Sequence, residues 1–402
     1  MERTGAQSFI SYTIARDRTS TRFIGRSCRQ KQLTSDVRMV SFLRREILLV
    51  LALGVGIVTF ALETTIIENG PGAALLATFC LIVAIVAVSV RVAYRAEVIA
   101  SKVGDPYGTM VLTMSAVGVE VLILLILMNG DSGSPTLARD TIFSAVMLDI
   151  NGILGLAALL GGWKFGEQAY NDDSGKTYGV MILTAMGISM VVPEFIPHEK
   201  WRLYSLFTVG AMAMLYWVFL RNQIGQHSYF FNYSYPEKKT RSGRALRNET
   251  FTPSITVLVA GIVLIGFLAE TMSGVLLNAL QAIGAPIALA ALVVAIMSAA
   301  PEFLTALRAA FANRMQVVIN IALGASLSTV ILTVPVIEGF ALYYDQPIVM
   351  AMTPLQTMMA LITLIVAAIN LNDGQTNAIE GMTHFVLFAT FLTLSLLGVA
   401  GG

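Results

Sequence analysis

The chain has few cysteines, few histidines and little charge. Its two cysteines, Cys28 in a polar stretch and Cys80 inside an apolar run, make no disulfide framework, and His198, His227 and His384 have no zinc-site spacing. Only 13% of the 402 residues are charged, about half the share usual in soluble domains, while 56% are hydrophobic. That balance excludes a water-soluble globule and points to an all-α polytopic membrane protein in contact with lipid. The formal net charge of +1 hides an asymmetry, since ten of the 26 Lys and Arg residues precede residue 46. Such a basic arm is an orientation signal and gives no case for a nucleic-acid partner.

Eleven apolar segments are readable, at 46–67, 72–93, 107–128, 141–162, 178–196, 203–221, 252–270, 284–311, 315–343, 351–371 and 383–400. Turn-rich stretches such as Glu68-Asn69-Gly70-Pro71-Gly72 and Asn372-Asp373-Gly374 separate them. The expected organisation is a basic, disordered segment (1–45), a first transmembrane helix (46–70), a five-helix set (71–222), a basic linker (223–250) and a second five-helix set (251–402). Residues 1–38 are rich in Arg, Ser and Thr; because Met39 makes a natural start before the first apolar span, they read as an extension and not as a targeting peptide.

Counting Lys and Arg on alternate sides sets the orientation. With the N-terminus inside, the inner side takes the ten of the arm, Arg91, Arg95, Lys102, Lys164 and Lys176, six from Arg221 to Arg247, then Arg308 and Arg314. The outer side holds only Arg139, Lys200 and Arg202. This bias places the N-terminus in the cytoplasm and the C-terminus outside.

Acids inside the apolar spans carry the chemistry, because a charge at a helix centre costs about 2.5 to 3.5 kcal/mol even on a lenient insertion scale. Glu63, Glu120, Asp149, Glu194, Glu270, Glu302 and Glu338 qualify, and no Lys or Arg sits mid-span to offset them. The expected partner is therefore a mobile cation or a proton. Glu120 and Glu302 occupy comparable positions, one in each five-helix set, each following small and hydroxyl residues such as Ser115 and Ser298. Pro301 removes a backbone donor just before Glu302 and leaves carbonyl oxygen of the kind hard cations take. The next spans add Ser144, Asp149 and Asn151, and Asn320, Ser326, Ser328, Thr329 and Thr333, which can line a site or tie helices together. Glu63, Glu194 and Glu270 lie toward span ends where water is near; Glu338 lies in the outer half of its span. Five helices is an odd number, so the second set inverts across the membrane, a recurrent transporter design.

These residues resemble the calcium/cation antiporter superfamily, in its bacterial calcium/proton or sodium-potassium/proton branch. The likeness is carried by Gly104-Asp105-Pro106-Tyr107-Gly108 ahead of Glu120, by Gly161-Gly162-Trp163-Lys164-Phe165-Gly166-Glu167-Gln168, and by Pro301-Glu302 through Asn320 and Leu323-Gly324-Ala325-Ser326 to Val334-Pro335. It implies a bacterial inner (plasma) membrane as the location, and that Glu120 and Glu302 are the paired acids that bind the cation and exchange it for protons. Where relatives usually carry Gly-Asn before each acid, this chain has Ala116-Val117 and Ser298-Ala299. The basic linker likewise departs from the acidic one common among relatives.

The expected function is secondary export of calcium, with sodium or potassium as further candidate cargo, against protons, with no resident cofactor. Two carboxylates in a poorly solvated cavity share their protons as a pair. A divalent cation or two protons neutralise that pair equally well, whereas a bare pair is costly to carry through an occluded state. The alternatives are a membrane-embedded enzyme and a passive channel. Met147-Leu148-Asp149-Ile150-Asn151 lacks the Gly-x-Gly-Asp of intramembrane aspartyl proteases, Gly324-Ala325-Ser326-Leu327-Ser328 lacks Gly-x-Ser-x-Gly, and Asn171-Asp172-Asp173 reads as a solvated loop. A passive channel leaves the two comparable halves unexplained.

Overall fold

The computed structural model describes residues 46–103, 107–129, 134–224, 228–231, 251–286, 288–346 and 348–401. The expected disordered arm, the Gly104-Asp105-Pro106 turn and most of the basic linker lie outside the described residues. The chain divides into two compact units, Met1–Leu51 and Ala52–Gly402. Of the first, the described residues are Glu46 and the opening turns of α1; everything below concerns the second.

Every apolar segment foreseen in the sequence forms helix. In chain order these are α1 (Ile47–Ala61), α2 (Glu63–Glu68), α3 (Pro71–Val103), α4 (Tyr107–Asn129), α5 (Leu137–Met147), α6 (Gly155–Phe165), α7 (Asp172–Met186) and α8 (Trp201–Ile224). The second half holds α9 (Phe251–Ala282), α10 (Ala288–Phe311), α11 (Met315–Ser328), α12 (Val334–Tyr344), α13 (Pro354–Asn370) and α14 (Ala378–Leu396). Among the described residues eight helical stretches are long and apolar enough to cross a membrane, with shorter apolar helices at Ile47–Ala61, Thr113–Asn129 and Pro354–Asn370. Helix is the form a lipid-facing chain must take, since it pairs its own backbone groups without water. The exposed side chains agree: Leu76, Phe79, Met214 and Val263 point outward, the reverse of a soluble protein.

Two interrupted rods occupy the middle. Leu148–Leu154 is a π-helical stretch joining α5 to α6, and Thr329–Thr333 is one joining α11 to α12. A third, Gly187–Val191, ends α7. Two of the three are followed, one residue on, by proline, Pro335 and Pro193, whose rings crowd the preceding turn and withdraw an N–H from it. All residues of α5 and of Leu148–Leu154 are buried. The acid-bearing helices α4 and α10 pack on each other and against these rods, while α3 and α9 pair along their lengths beside them.

Close contact between α6 and α14 depends on glycine. An added Cβ at Gly381 would run into the backbone of Ala158 and Leu159, and one at Gly162 into Asn377 and Ala378. Small residues let two backbones approach and gain dispersion contacts that lipid cannot match.

The two ends of the bundle are tied differently. At one end Arg202 pairs with Asp345, Gln346 Nε2 donates to Asn129 Oδ1 at 3.2 Å and Val349 N to Pro135 O at 2.9 Å. At the other, β1 (Gln168–Ala169) pairs antiparallel with β2 (Gln375–Thr376), and Lys164 Nζ donates to Phe311 O at 3.0 Å. Among the described residues side-chain caps start α7 (Asn171), α13 (Thr353 with Gln356 in a capping box) and α14 (Asn377). Asn171-Asp172-Asp173, expected as a loop, is thus a helix start whose acids favour the positive end of the helix dipole. The segment expected to end near Glu270 runs on to Ala282, so Glu270 lies well inside α9, on its exposed side.

Candidate functional site

Glu120 lies nine residues before Asn129, the last of α4, and Glu302 nine before Phe311, the last of α10. The two helices run in opposite directions, since α4 finishes at the Asn129–Gln346 end and α10 at the Lys164–Phe311 end. Glu120 is 6% exposed; its Oε2 accepts from Thr329 Oγ1 at 2.9 Å, and its Oε1 is buried with no hydrogen-bond partner. The Thr333 hydroxyl lies close to the same carboxylate without making a hydrogen bond. Glu302 Oε2 is likewise buried and unpartnered.

Asp149 joins this pair. It sits 2% exposed in the Leu148–Leu154 stretch, and its Oδ2 accepts from Ser326 Oγ at 3.2 Å. Glu302 is near enough to act electrostatically on both Glu120 and Asp149, and Glu120 acts on Asp149. Among the described residues no basic side chain takes part in this field. Among the described residues no three acidic, His or Cys side chains converge closely enough to hold a metal ion between them. What the arrangement offers is mutually repelling carboxylates with spare acceptor atoms, backed by hydroxyls from the second interrupted rod. Such a group takes up positive charge, as proton or cation.

The remaining polar candidates are placed elsewhere. Asn151 donates through Nδ2 to Thr363 Oγ1 at 2.7 Å, and its Oδ1 meets His384 Nδ1 at 2.9 Å. It therefore ties the π-helical stretch to α13 and α14. Asn320 donates to Phe231 O at 2.8 Å and accepts from Gln316 Nε2 at 3.0 Å. Ser115, Ser298 and Ser328 return their hydroxyls to carbonyls of their own helices, Val111, Ala295 and Gly324. Of the supporting candidates, only Asp149 and Ser326 come together with the glutamates. Thr329 and Thr333, also among the polar residues read in that span, lie beside the Glu120 carboxylate.

Two features explain the Gly161 to Gln168 motif. Gln168 is 1% exposed, and its Nε2 donates to Ala310 O at 3.1 Å and Asn313 Oδ1 at 3.0 Å, clamping the loop after α6 to the end of α10. Gly161 leaves the room that the Gln168 amide fills. The motif thus fixes the helix that carries Glu302 and does not touch the carboxylates.

Comparison with known proteins agrees with this architecture. The solved calcium/proton antiporter YfkE superposes with a TM-score of 0.69 at 16% identity, covering 87% of this chain and 98% of that one. The sodium-potassium/proton antiporter ChaA of Escherichia coli (strain K12) is 29% identical over 77% of this chain and 86% of its own length. The Ca(2+)/H(+) antiporter ChaA of Bacillus subtilis (strain 168) is 22% identical over 81% and 92%. The family model described as sodium/calcium exchanger protein matches residues 73–225 and 253–397, and the chain belongs to that family of integral membrane cation exchangers.

Proposed function

We propose that the chain is a secondary active cation/proton antiporter in which Glu120 and Glu302 alternately hold the exported cation and the returning protons. The observation that carries this reading is the pair itself: two buried carboxylates, brought from oppositely running helices into one electrostatic field, each with an oxygen atom lacking a partner. Calcium is the proposed cargo, with sodium or potassium moving by the same rule when one proton is retained. The named relatives share the proton and differ in the cation.

The residues act as follows. Glu120 and Glu302 compensate a divalent cation between them; Asp149 adds negative field from the adjoining rod, held by Ser326. Thr329 orients the Glu120 carboxylate. When the cation leaves, repulsion makes the doubly ionised pair unfavourable, and protons enter before the site turns. Only neutralised sites cross, so cation and proton fluxes are coupled. We further infer that residues 71–222 and 251–402 form two inverted five-helix repeats behind an extra first helix, eleven spans in all. The equal setback of Glu120 and Glu302 from their helix ends, and the two matching π-helical rods, support that symmetry. The Lys and Arg bias supports a cytoplasmic N-terminus, which makes the Arg202–Asp345 end the outer one.

In everted vesicles of a host lacking its own exchangers, Glu120→Gln and Glu302→Gln are each expected to abolish cation-dependent proton movement while the protein stays folded and inserted. Full exchange in either variant would defeat the mechanism. A wild-type protein that moves cations only downhill, with no response to a pH gradient, would make it a channel.

A further inference from the structure

We propose that Glu338 is a proton-binding way station on the outer side of the central carboxylates, delivering protons to Glu120 along the threonine-bearing side of the α11–α12 rod. The proposal rests on the exchange reading above.

Glu338 lies on α12 and is 1% exposed. Its Oε1 is 3.5 Å from Ser205 Oγ of α8, a long contact, and its Oε2 is buried with no hydrogen-bond partner. The helix packed most closely on α12 is α8, and the groups it turns toward Glu338 are Ser205 and Tyr204. The Tyr204 hydroxyl is already committed, donating to Ile188 O at 2.7 Å. The Thr329–Thr333 stretch also packs there and carries no titratable side chain; α4, the third neighbour, carries Glu120 and, at its far start, Tyr107. On α8 Arg202 is paired with Asp345, and among the described residues no basic side chain acts on Glu338.

That environment selects the ligand. A hard cation takes about six to eight oxygen ligands for calcium, or a near-complete shell for smaller ions, and one carboxylate beside one hydroxyl cannot supply them. An unpaired carboxylate deep in a helical membrane protein is costly, so a proton is the ligand that suits it, and acids in this setting mark proton paths.

Its position suits the task. Thr329 donates to Glu120, Thr333 keeps a buried hydroxyl free close to the same carboxylate, and Glu338 follows five residues later toward the Arg202–Asp345 end. At 1.5 Å rise per residue Glu338 is about 13 Å along the rod from Thr329. A proton leaves the carboxylic O–H of Glu338; the Thr333 hydroxyl, with water, accepts it and passes on its own; the Glu120 carboxylate receives it. Glu338 ends ionised, Glu120 ends protonated, and outer water restores the proton on Glu338. The direction matches a carrier that imports protons as it exports cations.

The test uses the full chain in proteoliposomes with radiolabelled calcium or sodium, measured in two modes: uptake driven by a pH gradient, and cation-for-cation exchange at equal pH, which needs no net proton. In Glu338→Gln the gradient-driven rate is expected to fall on the order of tenfold and to lose its dependence on outside pH, with cation-for-cation exchange kept. Glu338→Asp, which retains a protonatable group in the same packing, is expected to recover most of the gradient-driven rate. Equal loss of both modes in Glu338→Gln, no loss in either, or a Glu338→Asp as slow as Glu338→Gln would overturn the proposal. A wild-type protein without pH-driven movement would instead remove the exchange reading on which it stands.

Discussion

Among the described residues the hydroxyl of Thr329 is the one that donates to the Glu120 carboxylate, which makes Thr329→Val a sharp perturbation. The substitution keeps the β-branched shape and removes the 2.9 Å hydrogen bond, leaving a buried carboxylate whose other oxygen already has no partner. Hydrogen bonds to charged groups contribute about 1.5 to 3 kcal/mol. At 1.4 kcal/mol for each factor of ten, that corresponds to roughly a 10- to 150-fold weakening of the step that needs this carboxylate held in place. The expected readout is a rise of that order in the cation concentration giving half-maximal proton movement at fixed pH, with a smaller fall in maximal rate. Thr333→Val is the control for half-saturation alone: its hydroxyl lies near Glu120 without bonding to it, so the cation concentration for half-maximal movement should shift by less than about threefold, while the gradient-driven rate should fall as in Glu338→Gln because the relay is cut. An unchanged half-saturation in Thr329→Val, or an equal shift in Thr333→Val, would refute the assignment of Thr329 as the residue that orients Glu120.

Two further outcomes follow from other parts of the molecule. Asp149→Asn removes one charge from a field shared with both glutamates, so cation affinity should fall on the order of tenfold, whereas unchanged calcium and sodium affinities would reduce Asp149 to a helix-tying role. Gly381→Ala forces α14 off the backbone of α6, and thermal unfolding in detergent should show a loss of about 1 to 3 kcal/mol; an unshifted melting curve would show that this contact has slack.

Membrane residence, the presence of helix in each apolar segment and Glu120 and Glu302 as acids set within such segments were legible in the linear chain because each is a property of one segment. An apolar run long enough for the bilayer must become helix to pair its own backbone, and an acid in such a run stands out against the cost of placing it there. The same logic fell short where a polar group's role depends on what lies opposite. Asn151 and Asp149 are two residues apart in one π-helical stretch; Asp149 faces Ser326 and the glutamates, while Asn151 faces Thr363 and His384. Asn320 and Ser326 diverge in the same way along α11. Helical spacing already turns such residues to different faces, and which face meets the glutamates is set by the helices packed against it. Thr329 meets Glu120 across 209 residues, and Glu338 is enclosed by a helix more than a hundred residues earlier. Pairings of that kind are decided by helix packing, since the hydrogen bond or the unpartnered oxygen exists only once two surfaces meet.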